Sequence, residues 1–125
     1  MAANTLYTIG IVDDNQQMRD AMCGVLRAHG YQVLAFDSAR ALLSSASLAQ
    51  FDCIVSDLQM PDMNGLEMQD ALRLAGHRMP LIMVTAFPDP AMRLRALQGG
   101  ARAFLGKPLQ ARELIQCIEA AVERR

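Results

Sequence analysis

Apolar positions along this chain fall into two alternating kinds of run. Short blocks in which nearly every residue is apolar give way to longer stretches in which apolar residues recur at steps of three and four. The blocks Thr8-Ile9-Gly10-Ile11-Val12, Gln32-Val33-Leu34-Ala35-Phe36, Cys53-Ile54-Val55-Ser56, Leu81-Ile82-Met83-Val84 and Ala101-Arg102-Ala103-Phe104-Leu105 read as strands. After the first, Met18, Ala21, Met22, Val25, Leu26 and His29 trace one helical face, with Asn15 placed to cap its start and Gly30 its end. Ser38 opens a second helix through Ala39, Leu42, Leu43 and Ala46. Asn64-Gly65 opens a third through Met68, Leu72 and Ala75, which Gly76 and Pro80 stop. Pro90 suits the first turn of a fourth, carrying Met92, Leu94, Ala96 and Leu97 up to Gly99-Gly100. A fifth, from about Gln110, carries Leu114, Ile115, Ile118, Ala121 and Val122. Short apolar strands alternating with helices predict an α/β three-layer sandwich, a parallel sheet with helices on both faces and right-handed crossovers.

In such sheets ligands collect beyond the carboxyl ends of the strands. The residues there are Asp13 and Asp14 after the first strand, Asp57 at the end of the third, Thr85 at the end of the fourth and Lys107 just past the fifth. Asp37 follows the second strand, expected at the sheet's edge. Three carboxylates converging on one end of a sheet repel one another, and a hard divalent cation or a shared proton relieves that. Oxygen-only donors favour Mg²⁺, with Mn²⁺ as the substitute. Mg²⁺ keeps open positions for phosphate oxygens, so the pattern suits a phosphoryl group, with Lys107 as a point charge and Thr85 as a neutral donor.

Composition narrows the classes. At 125 residues and 52% hydrophobic the chain suits one domain, 1–125, with a real core. A formal charge of -1 removes the electrostatic case for gripping nucleic acid or an anionic membrane. Of its 12 cations eleven are arginine, and Lys107 is the only lysine, the sole compact ammonium available. Codon usage in a G+C-rich genome explains the arginine excess better than selection against lysine does. Cys23, Cys53 and Cys117 lack disulfide or zinc spacing, residues 1–6 lack a positive leader, and no apolar run reaches membrane length, so a cytoplasmic location is expected.

Five segments in order carry a family likeness: Ile11-Val12-Asp13-Asp14-Asn15, Asp57-Leu58-Gln59-Met60-Pro61-Asp62-Met63-Asn64-Gly65, Val84-Thr85-Ala86, Gly99-Gly100-Ala101 and Phe104-Leu105-Gly106-Lys107-Pro108. With 28 residues from Asp57 to Thr85 and 22 more to Lys107, the chain resembles a receiver domain of two-component response regulators. The likeness is strongest to receivers of helix-turn-helix transcriptional regulators of the nitrogen-fixation type. The resemblance implies a flavodoxin-like (βα)5 fold with strand order 2-1-3-4-5. It implies that Asp57 accepts a phosphoryl group from a phosphohistidine of a sensor histidine kinase or phosphotransfer protein. Mg²⁺ would be held by Asp14, Asp57 and the Gln59 backbone carbonyl, with Asp13 acting through a metal-bound water. The chain would then be no enzyme but a phosphoacceptor assisting its own phosphorylation and dephosphorylation.

Further roles follow from the same resemblance. Ala86 leaves the phosphate approachable, and Lys107-Pro108 is expected to be cis. Thr85 would move toward the phosphate and Phe104 into the space vacated, reshaping the face of the fourth helix, fifth strand and fifth helix and promoting a homodimer. Gln59 and Phe87 flank the phosphate and would tune its lifetime. In place of a common phenylalanine, Leu109 follows Lys-Pro, and Phe87-Pro88-Asp89-Pro90 stiffens the loop that must move with Thr85. The chain is expected to lack the DNA-binding output domain of such regulators, standing alone or belonging to a longer one.

Plainer readings stand beside these. Asp13 and Asp14 alone would suit a solvated helix-capping turn, Phe104 a static core aromatic, and the methionines core filler. Two other functional classes are open: a phosphorylation-independent receiver-like scaffold, and a small metal-dependent phosphohydrolase. The intact Asp14, Asp57, Thr85 and Lys107 speak against the first. The lack of further acid, base or substrate motifs speaks against the second.

Overall fold

The structure, a computed structural model, describes residues 7–123. The leader expectation for residues 1–6, together with Arg124 and Arg125, falls outside them. Five parallel strands, β1 (Thr8–Val12), β2 (Gln32–Phe36), β3 (Cys53–Asp57), β4 (Leu81–Thr85) and β5 (Ala103–Gly106), form one sheet in the order β2-β1-β3-β4-β5. Helices α1 (Gln16–Ala28), α2 (Ala39–Leu43), α3 (Gly65–Leu74), α4 (Pro90–Gln98) and α5 (Ala111–Glu123) alternate with them. The expected sandwich and strand order are both present, and β2 is an edge strand.

Strand alternation sorts the core into two halves. Ile9, Ile11, Val55, Ile82 and Val84 face α1 and α5, where Met22, Leu26, Leu114 and Ile118 meet them. Val12, Ile54 and Met83 face the other side, packed with Leu42, Leu66, Met68, Leu72 and Ala96. The central strands β3 and β4 are buried at every position, as doubly covered parallel strands require. The polar β4 and β3 termini remain in the ladder, with Asp57 opposite Val84 and Thr85 opposite Gly106.

Helix starts follow the capping residues. Asn15 accepts from Met18 N at 3.0 Å, Ser38 from Ala41 N at 3.1 Å and Asp89 from Ala91 N at 2.8 Å, with Pro90 in the first turn of α4. Asn64 and Glu67 exchange reciprocal bonds of 2.9 Å, a capping box that fixes α3 just beyond Asp57. Gly30 ends α1 at φ 92°, a left-handed turn that glycine adopts without strain.

Two boundaries differ from the sequence reading by more than one residue. The second helix stops at Leu43 instead of running through Ala46, because a run of serines offers local bonds that compete with the helix; Ser45 Oγ takes Ser47 N at 3.1 Å. A single 3-10 turn, Leu48–Gln50, follows it. The fifth strand starts at Ala103, because Ala101 N turns back to Ala96 O at 3.0 Å to close α4. Among the described residues no helix is long and apolar enough to cross a membrane.

Candidate functional site

The carboxyl ends of β1, β3, β4 and β5 bring Asp13, Asp14, Asp57, Thr85 and Lys107 to one end of the sheet. Asp13, Asp14 and Asp57 each offer a carboxylate oxygen within 4.8 Å of the others. Asp37, exposed at the edge, is not part of this group. Asp13 is fully buried and Asp57 nearly so, whereas Asp14 is exposed.

Each buried carboxylate is held by identifiable partners. Asp13 Oδ1 accepts from Asn15 N at 2.8 Å, and its backbone carbonyl accepts from Arg19 Nη1 at 2.9 Å. Lys107 Nζ lies 3.3 Å from both Asp13 Oδ2 and Asp57 Oδ2, bridging the first and third strands from the fifth. Lys107-Pro108 is cis. Lys107 N donates to Thr85 O at 2.8 Å, and the side chain reaches across the site to Asp13 and Asp57. Gln59 N approaches Asp57 Oδ1 at 3.4 Å.

Backbone packing under Asp57 is tight. Gly65 N donates to Leu58 O at 2.9 Å, and a Cβ on Gly65 would sit 2.9 Å from the Asp57 carbonyl oxygen and 3.1 Å from Leu58 Cα. Only glycine allows α3 to start this close to the loop after β3.

Burial pushes the Asp57 carboxyl above the ordinary carboxylate range; Lys107 pulls it down, and Asp13 pushes it further up. The three carboxylates and one ammonium leave a formal charge of -2 in a space bounded by oxygen donors. A divalent cation with a preference for oxygen fits this donor set.

Thr85 and Phe104 are placed differently from one another. Thr85 is fully buried, accepts from Phe87 N at 3.0 Å and donates to Gln59 Oε1 at 2.5 Å. Phe104, opposite Met83 in the ladder, is half-buried against the core on the α2, α3 and α4 side. Phe87 is exposed. The cysteines lie elsewhere, Cys23 and Cys53 buried and Cys117 half-buried, and burial raises the Cys23 and Cys117 thiols away from reactivity. Sequence reasoning missed Arg19 on Asp13, the capping box behind Asp57 and the side-chain bond between Gln59 and Thr85. The capping box had a readable signal, Asn64 three residues before Glu67. The other two join positions with no periodic relation.

The family model described as "Response regulator receiver domain" matches residues 9–119. Nodulation protein W of Bradyrhizobium diazoefficiens is 36% identical over 122 residues, which is 98% of this chain and 54% of that protein. Transcriptional regulatory protein FixJ of Rhizobium meliloti is 35% identical over 119 residues, 95% of this chain and 58% of that protein. The chain thus spans about half the length of the curated relatives it matches. Among solved structures, the crystal structure titled FixJ-N superposes with a TM-score of 0.86 at 33% identity, covering 95% of both chains.

Proposed function

Because the chain belongs to the response regulator receiver domain family, we propose that it is a phosphorylation-driven switch in which Asp57 takes a phosphoryl group from a phosphohistidine of a sensor histidine kinase or phosphotransfer protein. The observation that carries the reading is Lys107 Nζ bridging Asp13 and Asp57 at 3.3 Å beside the exposed Asp14. Asp14, Asp57 and the Gln59 backbone carbonyl would hold Mg²⁺, with Asp13 reaching it through a water. When bound, Mg²⁺ supplies positive charge to the phosphoryl oxygens.

The residues divide the work. Desolvation raises the basicity of the Asp57 carboxylate, which favours its attack on phosphorus, while Lys107 partly offsets that rise. An oxygen–phosphorus bond forms at Asp57 as the donor's phosphorus–nitrogen bond breaks and its protonated imidazole leaves neutral. Lys107, 3.3 Å from Asp57 Oδ2, then lies within reach of the phosphoryl oxygens. Asp13, immobilised by Asn15, Arg19 and Lys107, acts as a fixed acceptor. Catalysis is mainly positioning and electrostatic stabilisation.

Signalling passes from Thr85 to Phe104. With Thr85 drawn to the phosphoryl group, the half-buried Phe104 ring can complete its burial, worth at most about 1.5–3 kcal/mol, enough to shift a population between two states. The face it alters carries exposed Leu94 on α4, suited to a phosphorylation-dependent homodimer. Output by transcription regulation is the reading favoured by the likeness to FixJ.

Incubation with Mg²⁺ and acetyl phosphate followed by intact-mass measurement tests the proposal. The wild type is expected to gain about 80 Da, the mass of one phosphoryl group, and Asp57→Asn to gain nothing. A wild type that gains no mass and binds no beryllofluoride rejects it. Turnover of a diffusible phosphate ester would point to a phosphohydrolase instead. Sedimentation with and without beryllofluoride tests the dimer.

A further inference from the structure

The switch residue Thr85 is already engaged. Its hydroxyl accepts the Phe87 N–H at 3.0 Å and donates its proton to Gln59 Oε1 at 2.5 Å. A threonine hydroxyl carries one proton, and phosphoryl oxygens accept without donating, so Thr85 cannot serve Gln59 and a phosphoryl group at once. Gln59 stands two residues beyond Asp57, on the loop whose N–H reaches the Asp57 carboxylate. Any group added to Asp57 therefore arrives beside this bond.

We infer that the Gln59 side-chain amide is a latch: it holds Thr85 in the resting position and competes with the phosphoryl group for the threonine proton, setting how much phosphoryl occupancy switching needs. The inference rests on the phosphoacceptor reading of Asp57. Gln59 is exposed, so water takes over its amide once the bond opens, and release costs one neutral hydrogen bond without a desolvation penalty. The same hydroxyl accepts Phe87 N, so movement of Thr85 toward the phosphoryl group also carries the start of the loop leading to α4. Gln59 acts here as a positioning residue, through Thr85 and without touching phosphorus.

Gln59→Met keeps side-chain length and the backbone carbonyl while removing the amide. Titrated with beryllofluoride and Mg²⁺, it should bind roughly 2- to 10-fold tighter than the wild type, the factor one neutral hydrogen bond supplies. In a Thr85→Ala background the same change should have no effect. Unchanged or weaker binding by Gln59→Met overturns the latch. So does an equal gain in the Thr85→Ala background, which would mean that Gln59 acts by obstructing the site. A double-mutant cycle of the two substitutions in urea, without Mg²⁺ or analogue, gives an independent readout, with a 2- to 10-fold coupling in the unfolding constant expected. If the wild type binds no beryllofluoride, the phosphoacceptor reading fails and the cycle alone decides, absence of coupling refuting the latch.

Discussion

Replacing Asp57 by Asn should make the protein more stable at neutral pH, although it removes a partner of Lys107. Asp13 and Asp57 carry carboxylate oxygens no more than 4.8 Å apart. At an effective dielectric near 20, two such charges repel by about 3.5 kcal/mol, while the ammonium 3.3 Å from Asp57 offsets about 5 kcal/mol. The nearly complete burial of the Asp57 carboxylate and the nearby Asp14 tip the balance back toward cost, Asp14 less so because solvent screens it. Asparagine is neutral and leaves Lys107 its bond to Asp13. A gain of about 1–3 kcal/mol follows, or a urea midpoint raised by about 1 M for a slope near 2 kcal/mol/M.

The pH dependence has a definite sign. The folded Asp57 carboxyl sits above its ordinary range, so between the ordinary value and the raised one the folded state binds a proton that the unfolded state has lost. Wild-type stability therefore falls as pH rises through that window. The gap between the two proteins should be absent below the window, open across it and stay constant above it. Saturating Mg²⁺ should narrow the gap, since ligand at 100 times its Kd adds about 2.7 kcal/mol to the form that binds it. Urea melts at several pH values, with and without Mg²⁺, decide the matter. A less stable Asp57→Asn, or a gap that widens toward acid, would refute the reasoning.

Other expectations follow from single contacts. Lys107→Arg keeps the charge but replaces one nitrogen shared between two carboxylates with a planar fork; phosphorylation by acetyl phosphate should slow by about 10- to 100-fold, and a wild-type rate would make the solitary lysine mere codon bias. Tyr31 is buried and its hydroxyl has no partner among the described residues, so Tyr31→Phe should leave stability unchanged or raise it by about 1 kcal/mol in urea. Burial holds the Tyr31 phenol up at about 12, so the wild type but not Tyr31→Phe should lose stability as pH rises from the ordinary phenol range through that value. Gly65→Ala must push α3 away from the Asp57 carbonyl; a loss of about 1–3 kcal/mol is expected, and an unchanged urea midpoint would contradict the packing.

What the sequence made legible depended on period and punctuation. Strands β1 and β2 match residue for residue, because each apolar block stops at an aspartate, Asp13 and Asp37. Strands β3 and β4 run one residue further than their apolar blocks suggest, to Asp57 and Thr85. Hydrogen bonding continues there after hydrophobicity stops, and that is why both side chains stand at the rim. The helix α2 was over-extended because Ala46 fits the helical step while the serines around it favour local bonds. The acidic cluster was readable from strand-end positions, since a parallel sheet brings all carboxyl ends to one edge. The grip of Gln59 on Thr85 was not, because a bond between side chains 26 positions apart has no trace in periodicity or turn chemistry.

The assignment of Asp57 as phosphoacceptor is most directly tested by trapping the bond itself. After phosphorylation with acetyl phosphate and Mg²⁺, borohydride reduces an aspartyl phosphate to homoserine, which peptide mass mapping locates. Homoserine at position 57 alone, absent when Mg²⁺ is chelated, is the expected result. An intact Asp57 in protein that has gained a phosphoryl group, or homoserine at Asp13 or Asp14 instead, would contradict it.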